Sequence, residues 1–264
     1  MSSFGNSARR CLFCEADGTL SREHVWPRWI ATLLPDGHRF SSRGAVGRHG
    51  SQPEARFGEV FESVDSCSWT ARVVCGSCNS GWMSSLESAA QPILAPLLTG
   101  ESTTLCGADI SVVLRWAVKT SIVISAGTGN PWRLEPRQAK ALRGGSVPKV
   151  IARVALARVP QGLDGWVHVE RLKAQVSDRP GALFVEAVRG HLALSVGVGP
   201  LLGGLPGWHV LMPPKWASLD SSNGDTRLPE IELAQVWGVS LARLKLLTMV
   251  GQADFEHLPV AESM

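Results

Sequence analysis

The alternation of apolar and polar positions changes character near residue 100. Before it, apolar residues come in short clusters separated by polar turns. Residues 30–34 are a brief apolar piece that predicts a helical turn behind Trp26 and Trp29. Residues 35–56 are rich in Gly, Ser and Arg and have no periodicity, which predicts a loop long enough to be functional. Residues 57–74 alternate loosely through Val60, Val64, Trp69, Val73 and Val74 and read as strand. From Asn79 the period becomes helical, with Trp82, Met83, Leu86 and Ala89-Ala90 on one face and Glu87 on the other. Pro92 and Pro96 kink or end this helix before Gly100.

Beyond residue 100, a second helix is expected from an N-cap at Asp109 to about Ser125, with Ile110, Val113, Leu114, Ala117 and Ile122 on one face. Glu135-Pro136 and Gly144-Gly145 frame a third, with proline at the first helical position and glycine past the end. Residues 150–159, 166–172, 182–188, 191–198 and 208–212 read as strands, the first two separated by a turn at 160–165. A polar loop at 218–227 precedes a helix at 233–246. Residues 192–212 are apolar over the length of a bilayer span, but Gly197, Gly199, Pro200, Gly203, Gly204, Pro206 and Gly207 interrupt them. Buried strands around a glycine-rich turn suit that pattern better.

Composition narrows the class. With 264 residues, 44% of them hydrophobic and 19% charged, the chain can build a sizeable core and is not of disordered type. A net charge of +3 permits a nucleic-acid partner only through a local basic face. The first ten residues are polar and hold no apolar h-region, so no secretory signal is expected and the location reads as cytoplasmic. No phosphate-binding G-x-x-x-x-G-K-[ST] loop, dinucleotide fingerprint or G-x-S-x-G elbow is present.

The cysteines change the picture most. Cys11-Leu-Phe-Cys14 and Cys75-Gly-Ser-Cys78 are two C-x-x-C pairs, the ligand set of a closed tetrahedral zinc site that would be structural. Cys67 and Cys106 are left over and read as small buried hydrophobes. Between the pairs lies Glu23-His24, followed by Pro27, and directly after the second pair comes Asn79. Histidine titrates near neutral pH and suits a general base. A carboxylate and an amide oxygen suit Mg²⁺ or Mn²⁺, so the three residues form a set able to hydrolyse phosphodiesters.

On these residues the chain resembles the HNH (ββα-metal) endonucleases, in the branch braced by a four-cysteine zinc site. The resemblance covers about residues 11–88. It implies His24 as general base, Glu23 and Asn79 as ligands of the catalytic cation, and products with 5′-phosphate and 3′-hydroxyl ends. Glu23 stands where most relatives carry Asp. Residues 66–70 hold no counterpart of the family's middle asparagine; Thr70, Ser68 or a backbone carbonyl is left to orient His24.

The expected architecture is therefore α+β. A zinc-bound ββα-metal (treble-clef-like) finger would occupy residues 1–100 with an insertion at about 35–65, and helices and a β-rich accessory domain would fill 101–264. The expected partner is nucleic acid, double-stranded DNA first, with no membrane and with homo-oligomerisation open. Arg22, Arg28, Arg39, Arg43 and Arg48 are the candidate phosphate contacts. Lys140, Arg143 and Lys149 form a weaker patch. Trp26, Trp29, Trp69 and Trp82 read as finger core before base-stacking platforms. Two other classes compete: a zinc-braced nucleic-acid-binding module without catalysis, and a scaffold protein whose finger only stabilises.

Overall fold

Strand β1 (Leu20–His24) pairs antiparallel with β4 (Thr70–Cys75), in a register that sets Arg22 opposite Arg72 and His24 opposite Thr70. Period-two alternation turns Glu23 inward while Arg22 stays exposed. The computed structural model describes residues 10–34, 39–42, 61–65, 69–128, 131–147, 152–174, 180–199, 217–219, 226–227 and 253–256. Ahead of β1, residues 11–16 close a tight turn through Cys11 N–H to Ala16 O and Glu15 N–H to Cys11 O. That turn docks on β4 by a hydrogen bond from Leu12 N–H to Val73 O (2.9 Å). A short helix α1 (Arg28–Leu33) follows β1 and buries Ile30.

Strand β4 runs straight into α2 (Gly76–Cys78), a π-helical turn (Asn79–Met83) and α3 (Ser84–Leu98). Gly81, at φ −94° and ψ −113°, breaks the helical path within that turn. Pro92 and Pro96 lie inside α3 and do not end it.

Helix α4 (Gly107–Gly127) begins three residues earlier than the sequence suggests. Its N-cap is Cys106, and Asp109 is the third helical residue, whose carboxylate accepts from Cys106 N–H (3.0 Å). This is the return half of a capping box. Cys106 is accordingly exposed rather than a buried hydrophobe, and Cys67 lies outside the described residues. Length and composition would let α4 cross a membrane, but 67% of its apolar stretch is buried in the fold, the pattern of a core helix. Residues 116–125 are buried all round, not on one face, because α4 packs on α3 and β4 as well as on the sheet described next. Helix α5 (Pro136–Arg143) starts and stops where Glu135, Pro136 and Gly144 predict.

The sheet is built on two long antiparallel strands, β6 (Ala152–Ala174) and β7 (Pro180–Val198). β8 (Ala217–Leu219) pairs with β6 near its start and β10 (Ala253–Glu256) near its end. The four strands expected between residues 150 and 198 are thus two. The expected turn at 160–165 is instead a stretch of β6 with register shifts on either side of Leu163. Opposite Leu163 sits Gly190, at φ +55°, where a Cβ would come within 2.4 Å of Leu98 O. Only glycine allows the sheet to meet the end of α3 there. Two smaller pairs are β2 (Arg39–Ser42) with β3 (Phe61–Asp65), and β5 (Thr104–Leu105) with β9 (Thr226–Arg227). Part of the expected 35–56 loop is therefore strand, defined by its partner and not by its own polar sequence. Part of the polar loop at 218–227 likewise pairs. The expected strand at 208–212 and helix at 233–246 lie outside the described residues.

Candidate metal centre and adjoining cavity

The two C-x-x-C turns come together because β1 and β4 bring the end of β4 beside the 11–16 turn. The Sγ atoms of Cys11, Cys14, Cys75 and Cys78 all lie within 4.8 Å of one another. Cys14 and Cys75 are 3.5 Å apart, far beyond a disulfide bond, and all four thiols are free. A tetrahedron with Zn–S bonds of about 2.3 Å has edges of about 3.8 Å. The donor set and its spacing fit one such ion. Phe13, between the first two cysteines, meets Trp82 edge to face at 5.1 Å and ties the turn to the helical run.

Four thiols this close cannot all ionise without a cation. Burial raises the Cys11 thiol, but backbone donors from Cys75, Phe13 and Cys14 outweigh it and bring its pKa down to about 7. Cys14 is pushed up by burial and by the neighbouring thiols of Cys11 and Cys75. Cys78 is pushed up by burial, then by the Cys11 charge and the thiols of Cys14 and Cys75. A dication reverses the repulsion, which is what a structural metal supplies.

Beside this cluster an open cavity of about 530 Å³ is lined by, among others, Glu23, His24, Arg28, Asn79, Ser84 and Glu87. Asn79, one residue past Cys78, donates from Nδ2 to Ser21 Oγ (3.1 Å) and to Arg22 O (3.2 Å). A backbone carbonyl can only accept, so the amide orientation is set and Oδ1 points away from these partners. His24 Nε2 accepts from Arg28 Nε at 3.3 Å, which assigns a neutral ring with its proton on Nδ1. Burial, then the Arg28 charge, hold the His24 pKa below the ordinary imidazole value, against a smaller opposing pull from Glu87. Thr70 is the direct cross-strand neighbour of His24, and Ser68 lies outside the described residues.

Glu23 is only 4% exposed, and its Oε1 accepts from Lys119 Nζ at 3.3 Å. Lys119, from α4, is wholly buried and donates also to Glu87 Oε1. Burial raises the Glu23 carboxyl, Lys119 pulls it back down, and Glu87 adds to the rise.

No family model, curated protein or solved structure matches this chain. The site is therefore read from its geometry. The four cysteines meet as the spacing predicts, and Glu23, His24 and Asn79 line one cavity. Arg22 and Arg28 are exposed beside it. Arg43 and Arg48 lie outside the described residues, as does the side chain of Arg39, whose backbone opens β2. Trp26 is buried, and Trp29, Trp69 and Trp82 pack half-buried against the core.

Three residues escape a reading of the sequence. Glu87 does not face away from the site: Gly76, Ser80, Ser84 and Glu87 recur at helical spacing and all line the cavity, a polar stripe visible in the sequence. Lys119 is the one charge among residues 116–127, a signal in itself. Arg72 is found only through its pairing with Arg22.

Proposed function

We propose that this protein is a metal-dependent HNH (ββα-metal, treble-clef-like) endonuclease that hydrolyses phosphodiester bonds of DNA. One observation carries the reading. An imidazole, an oriented amide and two carboxylates share one open cavity beside a four-thiol cluster, on an antiparallel strand pair that feeds directly into a helix. The oxygen donors of Glu23 and Asn79 match in kind what Mg²⁺ and Mn²⁺ take.

A divalent cation in this cavity would supply charge against the scissile phosphate and the departing oxygen. Within that frame, neutral His24 accepts the proton of an attacking water at Nε2 once Arg28 Nε turns aside. The hydroxide adds to phosphorus in line with the 3′-oxygen. The P–O3′ bond breaks, and the leaving alkoxide takes its proton from solvent, giving 5′-phosphate and 3′-hydroxyl ends. Asn79 and Glu23 would hold the cation, while Arg22 and Arg28 would receive flanking phosphates.

The test is nicking of supercoiled plasmid with Mg²⁺ or Mn²⁺, run beside His24→Ala and an EDTA control. Nicking by the wild type that both controls abolish supports the reading. No nicking of DNA by a folded, zinc-replete protein overturns it. One observation favours a second reading, a zinc-braced nucleic-acid-binding module: the His24 lone pair is engaged by Arg28 and Glu23 is turned onto Lys119. Duplex binding that survives EDTA without any cleavage would select it.

A further inference from the structure

A lysine with no exposed surface, on an otherwise uncharged stretch of helix, is costly. Buried ion pairs are often replaceable by apolar residues without loss of stability, so packing alone does not call for an ammonium here. Its partners show what it does. Lys119 Nζ reaches Oε1 of Glu23 on β1 and Oε1 of Glu87 on α3, and both carboxylates line the cavity that holds His24 and Asn79. Each carboxylate thus gives one oxygen to Lys119. Among the described residues no hydrogen bond claims the other. Asn79 repeats the arrangement: its nitrogen is tied to Ser21 and Arg22, leaving its oxygen over. Three tethered groups, each with one oxygen to spare, form the kind of oriented, hard-oxygen set that outer partners build around a metal.

We propose that Lys119 is a positioning residue of the candidate nuclease site, fixing Glu23 and Glu87 together, and that Glu87 thereby joins Glu23 and Asn79 in binding the divalent cation. This rests on the nuclease reading for its purpose but not for its test. Glu87 is the more accessible carboxylate, its side chain 22% exposed against 6% for Glu23. Because Lys119 lies on α4, the site is completed by a helix outside the first hundred residues.

The experiment is Mn²⁺ binding to the zinc-loaded full chain, read from loss of the free-Mn²⁺ electron paramagnetic resonance signal. Zinc content and melting temperature are measured alongside. Wild type should bind one Mn²⁺ per chain, and Lys119→Met and Glu87→Gln should each weaken it by about ten- to a hundredfold at unchanged zinc content. Removing the ammonium alone strands the Glu23 carboxylate, so Lys119→Met can fail to fold. Glu87→Gln, at a partly exposed position, then decides by itself. Unchanged Mn²⁺ affinity in a folded variant, or no Mn²⁺ binding by the wild type, overturns the proposal. Weakened binding in the variants with intact plasmid leaves this inference standing and removes the nuclease. Cleavage by the wild type with unaltered Mn²⁺ affinity in both variants does the reverse.

Discussion

Acidification should strip the cysteine cluster of its metal more steeply than a single titrating ligand allows. In the metal-free protein the Cys11 thiol has a pKa of about 7, while those of Cys14 and Cys78 are held above the ordinary thiol value by burial and by their neighbours. At pH 8 Cys11 is already mostly thiolate, whereas Cys14 and Cys78 still carry protons that a bound Zn²⁺ must displace. Those two alone make log K rise by about two for each pH unit. Below pH 7 Cys11 protonates as well, and the slope steepens to about three or more. Each displaced proton is worth about 1.4 kcal/mol per pH unit, so going from pH 7 to pH 6 should cost roughly 4 kcal/mol of metal binding. The assay is competition with a chromophoric chelator between pH 6 and 8, repeated with Co²⁺ to follow the thiolate charge-transfer band. A slope of one or less, or a cobalt spectrum lacking four-thiolate character, would refute the assignment of all four cysteines to one ion.

Three other outcomes follow from particular contacts. Gly190→Ala places a Cβ 2.4 Å from Leu98 O at φ +55°; it should destabilise by about 2–5 kcal/mol, a fall in melting temperature of roughly 5–15 °C by calorimetry, and a fall under 2 °C would contradict the close approach. Arg28→Ala removes a charge that depresses the His24 pKa, so the imidazole midpoint followed by NMR should move up toward the ordinary value; a midpoint that stays or falls would show that the two side chains do not meet. On the proposed DNA-binding face, Arg72 sits directly across from Arg22, two like charges that an anion would relieve. Arg72→Ala should weaken duplex binding and lower the log–log salt slope by about one in fluorescence anisotropy, and an unchanged slope would take Arg72 off that face.

What the sequence disclosed divides along lines of distance. The four cysteines, the Glu135-Pro136 start of α5 and the helical run after Cys78 are written in local spacing, and each is where its neighbours along the chain put it. Strand material was legible in the alternation at 152–198, but its division was not. Pro160, Gly162 and Gly165 look like a turn in isolation, yet β7 keeps pairing alongside and the register shift absorbs the irregularity. Cys106 reads as a buried hydrophobe in the sequence because its role as a cap depends on Asp109 reaching back. Lys119 stands out as a lone charge, but its partners do not: an ion pair across 96 residues leaves no periodic trace. The Arg22–Arg72 rung required a register that neither strand states alone.

The buried lysine also bears on how the protein is born. Glu23 and the last zinc-ligand candidate, Cys78, are synthesised well before Lys119, which follows Glu23 by 96 residues. Lys119 follows Cys78 by 41 residues, so at about 5–20 residues per second roughly 2–8 s separate the complete cysteine set from the lysine on the ribosome. During that interval the nascent finger can collect its metal while Glu23 lacks the counter-charge that lets it settle inside. A prematurely terminated chain ending before α4 would carry the four cysteines without the lysine that ties Glu23 to Glu87.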